Sequence, residues 1–128
     1  MPLVTVTVTG PRPPAWKAAV LDGIHRALVA SGVPASDRFH RVLELAPEDF
    51  RFDPGYPDAA SPRGPDFVLV EIFLSVGRSV KVKRAILADL LAALAEAPGL
   101  DPEHVMVVFE ETRWENWSFA GGRLLHVG

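Results

Sequence analysis

Two residues in this chain could do acid–base and anion chemistry without outside help: Pro2 and Arg78. Pro2 follows Met1, and proline is small enough at this position for the methionine to be removed. Its ring nitrogen would then be a free secondary amine, whereas the nitrogen of an internal proline is an amide with no base character. A chain amine has a reference pKa of about 7.7–8.0, and proline's is intrinsically more basic. Burial against apolar side chains and a nearby cation both disfavour the protonated form. Together they can bring the amine near neutral pH, where a general base works best. Such a base can take a proton from carbon beside a carbonyl and return it elsewhere, shifting a keto–enol equilibrium. Kept protonated, the same group is an acid suited to hydrating or decarboxylating a 3-oxo or unsaturated acid. Arg78, in Gly77-Arg78-Ser79, offers a planar two-pronged donor for a carboxylate just before a helix, where the backbone also favours anions. Alone, a Met-Pro start carries no consequence and an arginine at a helix start is a surface residue. It is their combination with the chain's architecture that gives them meaning.

That architecture is written in periodicity. In Leu3 to Thr9 the residues Val4, Val6 and Val8 share one face and Thr5, Thr7 and Thr9 the other, which predicts a strand with an apolar side against helices and a wetter side. Gly10 to Pro14 breaks it and opens a helix over about 15–31, with Trp16, Val20, Ile24, Ala27 and Leu28 at helical spacing and Asp22 placed to pair with Arg26. Gly32-Val33-Pro34 ends the helix, and a second strand is expected over 39–45. Residues 46–65 form a long loop rich in Pro, Asp and Gly, of the length that often carries function, with Phe50-Arg51-Phe52 a candidate short strand. Residues 66–74 read as a central strand, apolar on both sides except at Glu71, which needs a partner or water. A second helix over 80–97 buries Ile86, Leu87, Leu90, Leu91 and Leu94, and a last long strand begins at Val105. The tail carries Trp114, Trp117, Phe119 and a short apolar run, 124–127.

The two halves, about 1–46 and 66–111, repeat at an offset of 66 to 67 residues: Ala19-Val20-Leu21 lies on Ala85-Ile86-Leu87, and Gly32-Val33 on Gly99-Leu100. Two βαβ units with right-handed connections give an α/β (or α+β) domain spanning 1–128, with a four-stranded sheet and both helices on one face. The other face, bearing Thr5, Thr7 and Glu71, is too large to leave bare and too polar for a second simple core. Subunits whose sheets wrap a partly wet centre resolve this.

The bulk properties narrow the function. Net charge is −3, with no basic patch for nucleic acid or anionic membrane. The chain contains no cysteine, which excludes disulfides and thiolate chemistry, and its four histidines have no metal-ligand spacing. There is no phosphate-binding glycine loop, no Ser-His-Asp pattern and no membrane-length apolar run. A cytoplasmic protein without metal or organic cofactor, with no nucleic-acid or membrane partner, is expected.

Several motifs together carry a family resemblance. They are Met1-Pro2-Leu3, Gly32-Val33-Pro34 followed by Asp37-Arg38-Phe39, Gly77-Arg78-Ser79, and Trp117-Ser118-Phe119 after the last long strand. In this order, spread over nearly the whole chain, they resemble the tautomerase superfamily, and more closely its malonate semialdehyde decarboxylase-like branch. The resemblance implies a homotrimer with a processed Pro2 at the base of an apolar pocket as the acid–base residue. By position it implies that Arg78 binds a substrate carboxylate, that Asp37 orients water or polarises a carbonyl, and that Trp117 and Phe119 wall the pocket. Two departures stand out. The decarboxylases carry a second arginine just before the one matched by Arg78, where this chain has Ser75 and Val76. Relatives commonly have Gln where this chain has His40, which either faces the pocket or lies on the strand surface. The missing arginine favours tautomerisation of a small carbonyl or enol acid over decarboxylation or hydration. A non-catalytic trimeric scaffold that keeps Met1, and a ferredoxin-like binding module with the same element order, are the alternatives of other classes.

Overall fold

The computed structural model describes residues 2–124. Met1 and most of the expected apolar run at 124–127 lie outside them. The elements are β1 (Leu3–Thr9), α1 (Pro14–Ala30), β2 (Phe39–Leu45), β3 (Val68–Ser75), α2 (Val80–Glu96) and β4 (Val105–Thr112), with three short 3-10 turns. Proline at the first position of α1 and the Ser79 hydroxyl, which accepts from the Val82 N–H at 3.2 Å, start the two helices.

The sheet order is β2-β1-β3-β4. β1 runs parallel to β2, β3 runs parallel to β4, and the two halves meet antiparallel at β1 and β3. Each strand thus lies beside the strand its own helix leads to, which rules out the split arrangement of a ferredoxin-like module. The repeat is visible in three dimensions. Val20, Ile24 and Leu28 of α1 and Ile86, Leu90 and Leu94 of α2 are all fully buried, packed with Val4, Val6, Val8, Val70, Ile72 and Leu74. Gly23 lets the helices cross closely: a β-carbon there would sit 3.3 Å from those of Ala93 and the Leu94 side chain. Even a polar contact is duplicated, since Lys17 pairs with Glu44 and Lys83 with Glu111, each joining a helix start to a strand end.

Three details differ from the sequence expectation. Phe50-Arg51-Phe52 forms no strand; its two rings fold onto Phe67, with centroids 5.7 and 4.5 Å away, so side-chain burial overrides strand propensity. Asp22 accepts from Arg38 at 3.3 Å, across to the turn before β2, and that contact takes the place of the expected helix-surface pair with Arg26. β3 starts at Val68, because Phe67 closes a turn onto the Gly64 carbonyl and Asp66 is held by Arg12.

Candidate active site

The antiparallel meeting of the halves decides what comes together. The start of β1, the start of β2 and the ends of β3 and β4 all lie at one end of the sheet, with Leu3 opposite both Phe39 and Phe73. Pro2, buried, is one residue before Leu3. Asp37 is two residues before β2, in a turn closed by its N–H on the Pro34 carbonyl at 3.0 Å. Arg78 is three residues past β3, half-buried, with its guanidinium donating to the Ser75 carbonyl at 3.3 Å. Among the described residues no carboxylate is within ion-pair range of Arg78.

A row of rings borders this end. Phe73 meets Trp117 edge to face at 5.9 Å, Trp117 stacks on Phe119 at 6.0 Å, and Phe119 lies against Phe39 at 5.6 Å. Leu3, Phe73, Thr112, Asn116 and Trp117 line a largely apolar cleft of about 270 Å³. Asn116 donates to the Thr112 hydroxyl at 2.5 Å, pinning the turn that presents Trp117. Trp117 Nε1 and the Ser75 hydroxyl are buried without a partner among the described residues. Phe73, Thr112 and Asn116 are not site candidates in the sequence, and Phe39 enters there only as part of a motif. The strand period places Phe39 and Phe73 on the same face as Leu3, which was the signal available for them.

His40 is the exception. It pairs in register with Val4, so it shares the helix-facing side of the sheet, across from the Leu3, Phe73 and Trp117 cleft. There its ring sits edge-on to His25, centroids 5.2 Å apart. Burial, and the nearby His25 and Arg38, lower its pKa from 6.5 to about 4, so near neutral pH it packs as an uncharged ring.

On the open face, Arg41, Thr5 and Glu71 form a row across three strands, with Arg41 Nε donating to the Thr5 hydroxyl at 2.8 Å. Glu110 lies diagonally from Glu71 and shares a hydrogen bond with it, which raises the Glu71 pKa. Among the described residues no group of three or more His, Asp or Glu is arranged to hold a metal ion, and no helix is long and apolar enough to cross a membrane.

A βαβ duplication with an apolar cleft, and with an arginine that has no described carboxylate partner at the proline end, defines a class of protein, and known proteins agree. Residues 37–120, well over half of the chain, match the family model described as tautomerase enzyme, and the chain belongs to that family. A protein described as a probable tautomerase from Ralstonia nicotianae is 31% identical over 45 residues, 35% of this chain and 69% of the relative. A solved malonate semialdehyde decarboxylase is 29% identical with a TM-score of 0.86, the match covering 95% of this chain and 93% of that one. A fused 4-OT, solved as a symmetric trimer, is 26% identical with a TM-score of 0.75, covering 94% of each chain. Within the tautomerase superfamily the chain falls in the malonate semialdehyde decarboxylase-like branch, among isomerases and related lyases.

Proposed function

We propose that this chain is a cofactor-independent tautomerase of small carbonyl or enol acids, with the amine of Pro2 as the acid–base residue. The observation that carries this reading is the gathering of Pro2, Asp37, Arg78 and the aromatic row at one end of the sheet. Arg78 fixes the substrate carboxylate through two parallel charge-assisted bonds. The carbon beside the carbonyl then faces the Pro2 nitrogen, which removes its proton and returns one at the other end of the enol. Trp117 and Phe119 exclude water and hold the substrate flat. Asp37 polarises the carbonyl or orients a water, and His40 packs against His25 on the helix-facing side of the sheet and makes no contact with the substrate.

The working form in this reading is a homotrimer with the sheets facing inward. What supports it is the open sheet face, where Leu3, Phe39, Leu43 and Met106 are exposed beside Arg41, Glu71 and Glu110, together with the trimeric fused 4-OT relative. A second reading, decarboxylation or hydration of a 3-oxo acid, is favoured by the likeness to malonate semialdehyde decarboxylase. It suits a Pro2 that stays protonated at neutral pH.

The test pairs intact mass with pH–rate profiles on phenylpyruvate-like enols and on 3-oxo acids. The expected mass lacks Met1. The expected profile shows a basic limb for enol turnover, and Pro2→Ala lowers kcat/KM by about 10²–10⁴-fold with the fold intact. A retained Met1, or equal turnover in the variant, sinks the proposal. Turnover of 3-oxo acids alone selects the second reading.

A further inference from the structure

We infer that His25 is a positioning residue: from the buried side of α1 it holds the Ala35 carbonyl, and so fixes the turn that carries Asp37. This rests on the reading above, in which Asp37 serves the reaction. His25 is 5% exposed, lodged in the stripe of Ile24 and Leu28. A polar ring at such a place is costly unless bonded. Its Nε2 lies 2.9 Å from the Ala35 oxygen. A carbonyl only accepts, so Nε2 carries the hydrogen.

This bond crosses from the helix to the turn. After Val33, which is in the core, Pro34, Ala35 and Ser36 are exposed. The bond from the Asp37 N–H to the Pro34 carbonyl is internal to the turn and moves with it. The Arg38–Asp22 pair, about half exposed on both sides, is screened by solvent and holds weakly. His25 instead ties the middle of the turn to a rigid helix, and His40 packs edge-on against its ring.

The other half of the molecule shows that the fold does not require a histidine here. At the repeat offset of 66 the equivalent of His25 is Leu91, packed against the same core. The equivalent turn, before β4, is braced by other means: the Asp101 carboxylate accepts from the Glu103 N–H at 2.9 Å, and the loop over 46–65 bonds to Glu103 and His104 through Ala60 and Ser61. Among the described residues, only the turn at the candidate active site is held by a side-chain donor from its helix.

The experiment compares His25→Leu, which copies the second half, with His25→Gln, whose amide N–H can reach the Ala35 oxygen. Amide hydrogen exchange at residues 35–38 and steady-state kinetics on an enol acid are measured in both. His25→Leu is expected to speed exchange in the turn about tenfold and to lower kcat by about 10- to 100-fold with little change in KM. His25→Gln is expected to restore most of both. Unchanged exchange, a kcat within about twofold of wild type, or failure of the Gln variant to rescue overturns the inference. If His25→Leu does not fold, His25→Asn, whose amide stops short of Ala35, takes its place with the same outcomes. An inactive wild type sinks the functional reading; an active wild type matched by His25→Leu sinks only the positioning role, and the exchange measurement bears on His25 in either case.

Discussion

The two ends of the sheet are built from the same parts and have different fates. Arg12 and Arg78 are equivalents at the offset of 66, each in the join between a strand and its helix. Arg12, at the far end, is fully engaged: it donates to the Thr9 and Pro65 carbonyls, pairs with Asp66 at 3.1 Å and stacks 4.9 Å above Trp16. Arg78 has the Ser75 carbonyl at 3.3 Å and no described carboxylate. The long loop 46–65 accounts for the contrast. It is laced to the far end through Ala60 on Glu103 and Ser61 on His104, at 2.7 and 2.9 Å, and it brings Asp66 to Arg12. The position equivalent to Pro2 is Val68, an internal residue whose nitrogen is an amide. Duplication supplies two arginines; the loop neutralises one, and at the proline end no described carboxylate pairs with the other.

The shared core gives the first and largest test of this comparison. Leu28→Ala and Leu94→Ala remove equivalent, fully buried side chains, and each should cost about 2–5 kcal/mol in chemical denaturation. A difference beyond that range would break the equivalence of the halves. The arginines should then separate. Arg78→Ala is expected to lower kcat/KM by about 10- to 100-fold, mainly through KM, as loss of a charge-assisted contact does. Arg12→Ala should leave kinetics unchanged and lower stability by about 1 kcal/mol or less, because its pair with Asp66 is solvent-exposed on the carboxylate side. Equal kinetic losses would show that the loop does not distinguish the ends.

Two smaller effects follow pH. The His40 pKa is lowered from 6.5 to about 4, chiefly by burial. The unfolded chain therefore binds the proton first, and stability falls as pH drops from 6.5 towards 4. His40→Gln should abolish that loss, roughly 1–2 kcal/mol once the screening of a half-exposed ring is allowed for, as read from Tm against pH. Glu71 is the opposite case: its pKa is raised from 4.5 by its hydrogen bond with Glu110. Its contribution is present below pH 4.5 and is lost as pH rises through the higher folded value. Glu71→Gln should match wild type in acid and be slightly more stable at neutral pH; a variant less stable at neutral pH would contradict the shared-proton picture.

Much of the fold was legible because each segment repeats one period without conflict. The alternation in β1 and the three-to-four spacing in both helices fixed the buried face, and the offset between halves fixed the pairing of units. Phe50-Arg51-Phe52 misled because two aromatics flanking a charge look like a strand, yet Phe67 offered the rings a better place to bury. Pro2, Asp37, Arg78, Trp117 and Phe119 could be picked out by motif, and the antiparallel junction of the halves carries them to one end. Which face His40 takes depends on its strand register, where a single step reverses the side chain. His25 could not be found from pattern, because a histidine on an apolar helical stripe looks like any buried ring until its carbonyl partner is seen.

The most direct test of the central claim is a titration of the Pro2 nitrogen by NMR in protein labelled with 15N-proline. The account predicts an amine resonance that titrates below an ordinary chain amine's pKa of about 8, and that moves to higher pH in Arg78→Ala but not in Arg12→Ala. A Pro2 nitrogen with an amide shift and no titration, or one indifferent to Arg78, would contradict it.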